Sequence, residues 1–275
     1  MIDGKQLAAA WMAELERDLK AIEVSSVRLA IILVGHDPSS VLYVEKKRRL
    51  FEDVGIGVDL ISGDHLNDER VVIDMIRQLN ADDQVVGILV QLPLPVKWNV
   101  QAVLSTIDPS KDVDGLTPIQ QGGLVMSADM PVVPATPRGI LRLMFDENVD
   151  IQGSRVVIVN DSFLVGRPLA MMLLSLGATV TICNRHTIDL STLVAGADVV
   201  VLATGVHGVI APDCLQGVGM VVDVGINYVD GCLVGDVACE QARHYCRSIT
   251  PVPGGVGPMT VVALLANFYQ LLTTN

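Results

Sequence analysis

Short apolar runs, each stopped abruptly by turn-forming residues, constrain this chain more than any other feature. Residues 29–34 run without a polar side chain into Gly35, and residues 85–90 run into Gln91-Leu92-Pro93-Leu94-Pro95. Residues 155–159, 178–183, 197–203 and 220–224 repeat the pattern. Runs of this length lack the in–out alternation of a half-exposed sheet. They predict strands buried on both faces, the condition of parallel strands covered by helices. The intervening stretches supply the covers: residues 39–53, 67–79 and 169–176 carry apolar side chains at helical spacing. Asp37-Pro38-Ser39-Ser40 announces the first of these, with a serine as its N-cap.

This βαβ rhythm assigns the chain to the α/β class. Pro131, Pro134 and Pro137 mark a junction, and 275 residues suffice for two ordinary domains. We expect residues 1–136 with 258–275 to form the first, the last helix crossing back to it. Residues 137–257 should form a Rossmann-like doubly wound parallel sheet, with the substrate cleft between the two domains. Half of the chain is hydrophobic and 18% is charged, which excludes disorder. The formal net charge of −12 argues against a nucleic-acid partner, since phosphate backbones need a basic footprint. The five cysteines form no CxxC pair, so neither a disulfide framework nor a zinc site is expected, and no other metal. No apolar leader opens the sequence and no uninterrupted apolar stretch approaches bilayer length; a cytoplasmic protein without a membrane span is expected.

Four stretches carry candidate chemistry. Thr250-Pro251-Val252-Pro253-Gly254-Gly255-Val256-Gly257-Pro258-Met259-Thr260 combines fixed and unrestricted backbone, giving a stiff path with bare main chain that a ligand can approach. A rigid linker before the last helix is the alternative. Tyr43 and Lys47 stand four residues apart on one helical face, where burial would lower the lysine pKa and suit it to proton transfer. Because Lys46, Lys47, Arg48 and Arg49 are consecutive, a solvated charged face is the competing reading. Gln91 ends a strand read as central, where open α/β sheets bind ligands, although an amide there can also cap a turn. Lys111-Asp112-Val113-Asp114-Gly115 is a charged turn whose two carboxylates are too few for a metal.

In the second half, Asn160-Asp161-Ser162-Phe163-Leu164-Val165-Gly166 follows a strand and opens a helix, where a pyrophosphate would meet backbone N–H groups. The GxGxxG fingerprint is absent, with Asn160 in place of its first glycine. An ordinary strand-to-helix turn is the alternative. Arg185 and His186 follow the next strand, where an arginine suits a 2′-phosphate, while Asp161 would oppose it.

Taken together, these motifs resemble the bifunctional methylenetetrahydrofolate dehydrogenase/methenyltetrahydrofolate cyclohydrolase family over almost the whole chain. The likeness rests on Tyr43 with Lys47, on 87–95, on 111–115, on Thr136-Pro137-Arg138-Gly139 and on Val165-Gly166-Arg167-Pro168. Asp223-Val224-Gly225-Ile226-Asn227, Gly235-Asp236-Val237 and the 250–260 segment complete it. The resemblance implies hydride transfer from 5,10-methylenetetrahydrofolate to NADP, then hydrolysis of the methenyl product to 10-formyltetrahydrofolate. Such chemistry feeds one-carbon units to purine, methionine and histidine biosynthesis. It implies Lys47 as the catalytic group handling protons on water and N10, held by Tyr43 and Gln91. It further implies Tyr43, Gln91, Asp114, Pro253, Gly254 and Gly255 around the folate, and a homodimer. Asn160, Asp161, Ser162, Val165, Gly166, Arg185 and Ile226 take the cofactor positions. The family usually carries Gly-Arg-Ser or Gly-Ala-Ser where this chain has Asn160-Asp161-Ser162, a histidine at Asn184 and often a serine at Arg185. NAD use, or a mainly hydrolytic enzyme, is therefore a second reading. A folate-binding regulator without catalysis is a third, against which the joint presence of Tyr43, Lys47, Gln91 and Asp114 argues.

Overall fold

A computed structural model describes residues 1–128 and 130–274. The chain forms two compact units: Met12–Ala135 with the chain from Leu264 onward, and Met1–Trp11 with Thr136–Ala263. The expected division put residues 1–11, 136 and 258–263 with the first domain. In the structure they group with the second, where Ile2 N donates to Ile249 O (2.9 Å) and Gly4 packs directly on the Gly255 carbonyl.

Helix α1 (Gly4–Leu19) leads into the first unit, which continues as β1 (Arg28–Leu33), α2 (Pro38–Asp53), β2 (Gly57–Ser62), α3 (Glu69–Asn80), β3 (Val85–Gln91), α4 (Val100–Leu104) and α5 (Pro118–Val125). The sheet order is β2-β1-β3, all parallel. Thus β1, fully buried from Leu29 to Ile32, is the central strand. Strand β3, expected at the centre, is an edge of the three-stranded sheet and carries only an isolated bridge from Ile88 to Asp112 on its other side. The register sets Gln91 beside Leu33, at the carboxyl end of both strands. Helix α2 is capped by Asp37, not by a serine: its carboxylate accepts Ser40 N at 2.8 Å, with Pro38 at the start of the helix. The buried stripe of α2 is Ser40, Val44, Lys47 and Phe51, a helical 4-3-4 spacing that turns Lys47 inward with the apolar side chains.

The second unit follows with α6 (Ala135–Asp146), β4 (Arg155–Val159), α7 (Gly166–Ser175), β5 (Thr179–Cys183), α8 (Leu190–Ala195), β6 (Val199–Leu202), β7 (Met220–Asp223), the hairpin β8 (Asn227–Val229) and β9 (Cys232–Val234), α9 (Cys239–Ala242) and β10 (Ser248–Ile249). Helix α10 (Val256–Thr274) ends the chain. The main sheet runs β10-β7-β6-β4-β5, all parallel, so the strand order reverses between β4 and β6. Helix α10 is long and apolar enough to cross a bilayer, but 61% of that stretch is buried inside the structure, as in a core helix.

Residues 264–274 of α10 belong to the first unit, and Phe268 anchors them there. Its ring stands edge-on to Phe51, centroids 5.3 Å apart at 86°. Gly87 in β3 leaves the room: an added Cβ would come within 2.9 Å of the Phe268 ring and 3.2 Å of Leu29 and Val113 side chains. All three neighbours are buried and cannot retreat. Gly87→Ala should therefore destabilise by about 1–3 kcal/mol, the usual cost of overpacking a core. Urea denaturation measures it, and an unchanged midpoint would show that α10 yields at this point.

Candidate active site

In the first unit, Lys47, Gln91 and Asp114 come together from α2, the end of β3 and the 111–115 turn. Lys47 is 8% exposed, and its Nζ donates to Gln91 Oε1 at 3.0 Å. Gln91 Nε2 donates in turn to Leu92 O at 2.7 Å, which orients the amide with its oxygen towards the lysine. The basic run divides as the helix turns. Arg48 pairs with Glu45 (2.8 Å) and Glu52 (2.7 Å), Arg49 pairs with Glu45, and Lys46 is exposed. The solvated-face reading thus describes the neighbours of Lys47 and not Lys47 itself. Tyr43, one turn earlier, is half-buried, with Lys46 Nζ 5.5 Å from its ring centroid.

The two turn aspartates stand two residues apart and meet different partners. Asp112 is buried and accepts Thr117 N at 2.7 Å, anchoring the start of α5. Lys111 Nζ reaches the carbonyls of Asp82 (2.7 Å) and Leu79 (3.2 Å), tying the turn to the end of α3. Asp114 instead faces Lys47. Burial pushes its carboxyl up to about 6; the Lys47 ammonium opposes this, Asp112 adds to it, and a backbone N–H of Ala135 opposes it. Burial lowers the Lys47 pKa, and the Asp114 charge opposes that shift. A desolvated ammonium and a carboxyl titrating near neutrality can move protons, and Asp114 can accept two hydrogen bonds from a ligand when ionised.

The expected cofactor residues lie in the second unit, at the carboxyl ends of its strands. Asn160 stands at the reversal of strand order. Its Nδ2 donates to Ala203 O after β6 (2.6 Å), and its Oδ1 accepts Ser162 N (2.9 Å), Ser162 Oγ (2.6 Å) and Gly166 N (2.9 Å). An asparagine side chain thus organises the turn for which the fingerprint uses glycine. Ser162 Oγ also accepts Val165 N (3.2 Å), and Val165, the N-cap of α7, offers that helix no side-chain cap. Gly166 is obligatory, since a Cβ there would overlap the Asn160 carbonyl, and strand end and helix start meet backbone to backbone. Asp161 is exposed and accepts Asn184 Nδ2 at 3.1 Å; Arg185 is exposed with its Nε 3.2 Å from His186 Nε2. Ile226, just after β7, is 42% exposed.

Pro253, Gly254 and Gly255 also belong to this unit. Gly254 has φ +106°, and a Cβ on Gly255 would come within 2.6 Å of Pro251 O. The segment therefore requires its glycines, as its composition suggested, and α10 starts at Val256 with Pro258 in its first turn.

Asp223 and Asp236, which entered above only through the family likeness, form a buried knot. Asp223 Oδ1 accepts Gly225 N (3.0 Å) and Asp236 N (2.9 Å), and its Oδ2 accepts Val237 N (3.0 Å). Asp236 Oδ2 takes Thr204 Oγ1 (2.8 Å) and the N–H groups of Thr204 and Gly205, and its Oδ1 takes Asn227 Nδ2 (2.9 Å). Each carboxylate occupies the place of a side chain: a Cβ on Gly235 would overlap Asp223, and one on Gly225 would overlap Asp236. The signal was the pair of Asp–Gly strings, 223–225 and 235–236. The knot fixes the loops after β6 and β7. Among the described residues no His, Cys, Asp and Glu cluster could hold a metal ion.

Comparison with known proteins follows the same two halves. The model of the tetrahydrofolate dehydrogenase/cyclohydrolase catalytic domain matches residues 2–114, and that of the family's NAD(P)-binding domain matches residues 134–275. The chain is 44% identical to the bifunctional protein FolD of Methanospirillum hungatei, over 97% of this chain and 95% of that one. The bifunctional enzyme FolD, a methylenetetrahydrofolate dehydrogenase/cyclohydrolase from Campylobacter jejuni, superposes with a TM-score of 0.93 at 40% identity, covering 99% and 98% of the two chains. The Trypanosoma brucei dehydrogenase-cyclohydrolase, solved with NADP cofactor and inhibitor, has a TM-score of 0.93 at 32% identity over 99% and 97%.

Two outcomes are expected of this geometry. Removing the ammonium by Lys47→Met should move the Asp114 titration above its value near 6, and Asp114→Asn should lower the Lys47 pKa further, as followed by side-chain NMR. Asp236→Asn places a donor among donors and should cost about 1–3 kcal/mol in chemical denaturation. Titrations that ignore each other's substitution would mean that Lys47 and Asp114 do not interact.

Proposed function

Because the chain belongs to the tetrahydrofolate dehydrogenase/cyclohydrolase family, we propose that it oxidises 5,10-methylenetetrahydrofolate to the methenyl form with NADP and hydrolyses that product to 10-formyltetrahydrofolate. The observation that carries this reading is the buried Lys47, bonded to Gln91 and facing Asp114. Asp114, as a carboxylate, accepts hydrogen bonds from the pterin amino group and ring N–H, a bidentate contact that orients the substrate. Gln91 and Tyr43 hold the Lys47 amine where water approaches the methenyl carbon, and Lys47 takes the proton as water adds. The added hydroxyl then becomes the formyl C=O and releases its proton to solvent as the bond from this carbon to N5 breaks, and N5, not N10, receives the proton that Lys47 took, since a 10-formyl product keeps its bond to N10. The family reading also assigns Pro253, Gly254 and Gly255 to the folate, as bare backbone that a flat ring can approach.

NADP, when bound, accepts the hydride. The turn of Asn160, Asp161, Ser162, Val165 and Gly166 is assigned to its pyrophosphate by the family reading, at the point where β4 ends and α7 begins. Arg185 is assigned to the 2′-phosphate, with Asp161 weakening that contact, and Ile226 to the nicotinamide end. The family reading also carries a homodimer acting in the cytoplasm on one-carbon folates, with neither nucleic acid nor membrane as partner. The sedimentation of the purified protein reports its assembly state.

Lys47→Met should abolish the decay of methenyltetrahydrofolate while the melting temperature holds; decay at the parental rate overturns the assignment. The parent should turn over NADP faster than NAD at equal low concentration. Arg185→Ala should lower that ratio about tenfold, the worth of one charge-assisted hydrogen bond. A ratio untouched by the substitution removes Arg185 from phosphate recognition.

A further inference from the structure

Three separate elements carry the Lys47 cluster, and one short stretch of α10 touches all of them. Phe268 packs edge-on against Phe51, which lies one turn beyond Lys47 on the same buried stripe of α2. The same ring covers Gly87. Gly87 and Gln91 share a face of β3, because strand side chains alternate with a period of two. The preceding residue, Asn267, is fully buried, and its Nδ2 donates to Val113 O and Val133 O, 2.8 Å each.

Those two carbonyls belong to the pieces of chain that meet at Asp114. Val113 immediately precedes it, and Val133 lies two residues before Ala135, whose N–H points to the Asp114 carboxylate. The contact is close: Gly115 has φ +67°, and a Cβ there would come within 2.6 Å of the Val133 carbonyl carbon and 2.7 Å of Pro134 N. A primary amide nitrogen has two protons and can bridge two carbonyls at once. A hydroxyl has one and a carboxylate none. An apolar residue would fill the space but leave both buried carbonyls unpaired.

We infer that Asn267 is a positioning residue for folate binding, whose amide clamps the 113–115 turn to the 133–135 segment and so sets the Asp114 carboxylate opposite Lys47. The inference rests on the assignment of Asp114 to the pterin. It adds that α10, which has no catalytic side chain of its own in that assignment, sets the geometry of the acceptor.

The test compares Asn267→Leu and Asn267→Ser with Leu271→Ala, a buried apolar α10 variant one helical turn further on that removes no hydrogen-bond donor. Melting temperature, the folate KM and kcat, and the Asp114 carboxyl titration by NMR are measured for each. The Asn267 variants should raise the folate KM about tenfold with a smaller change in kcat, the scale of one hydrogen bond to a charged group. They should also move the Asp114 titration upward, since the carboxylate loses its backbone N–H. Leu271→Ala should lower the melting temperature while leaving KM and titration at parental values. Should the leucine variant not fold, the serine variant, which keeps one donor and adds no bulk, supplies the same readings. Asn267 variants that lower the melting temperature but keep parental KM and titration overturn the inference and reduce Asn267 to a core hydrogen-bonding residue. Asp114→Asn with a parental folate KM overturns instead the pterin assignment, and the titration still reports independently whether Asn267 holds the carboxylate.

Discussion

A parallel strand cannot be followed by a tight hairpin to its neighbour, and this restriction governs the whole chain. Each return must cross over the sheet, generally as a helix, so every strand of a parallel sheet ends at the same edge. The inner strands are buried on both faces and leave little room for polar side chains: Val199, Val200, Val201 and Leu202 in β6 are all in the core. Polar chemistry is left to the carboxyl ends. Gln91 closes β3, Asn160 follows β4, Asn184 and Arg185 follow β5, Thr204 follows β6 and Ile226 follows β7. The reversal of order between β4 and β6 then opens a gap at that edge, which the Asn160 side chain spans to reach Ala203.

Two pairs of charged side chains solve one electrostatic problem in opposite ways. Lys47 and Asp114 have opposite charges and little else to satisfy them, so each is shifted towards its neutral form by burial and held back by the other. Such a pair is responsive: a ligand that displaces water or adds a donor changes both protonation states together. Asp223 and Asp236 have like charges, which repel, and burial with that repulsion brings Asp223 up to about 6 despite N–H donors from Gly225, Asp236 and Val237. Backbone donors rather than a counter-ion make this pair tolerable, and the result is a rigid joint.

Much of this was legible in the residues. Continuous apolar runs marked the buried strands because burial on both faces leaves no alternation to obscure them. The spacing of Tyr43 and Lys47 marked one helical face, and the Gly and Pro content of 250–260 marked its constrained backbone. Strand β2 was not legible: none of Gly57-Val58-Asp59-Leu60-Ile61-Ser62 is fully buried, and the stretch lacks a continuous apolar run. The rank of β3 in the sheet depends on pairing, which no local pattern encodes. The capping role of Asp37 was hidden by two serines that satisfy the same preference. Asp112 and Asp114 differ only in which way they face, and that is set by the distant backbone they meet. Asn267 looked like any polar residue in an apolar helix, since its partners are carbonyls far away in the chain.

The crossed arrangement at Gly225 and Gly235 has a consequence for how such a protein can vary. Gly225 makes room for the carboxylate of Asp236, and Gly235 for that of Asp223, so the two complementary pairs interleave along the chain. A single exchange at any of the four positions meets an unchanged partner across the knot, and its effect depends on what the other three are. A chimera joined anywhere between 225 and 235 separates both pairs at once, inheriting each cavity from one parent and its occupant from the other. Recombination between relatives that differ there is expected to succeed only when the whole 223–236 stretch travels as a unit, while the hairpin tip at Asp230-Gly231, exposed and away from the carboxylates, is free to drift.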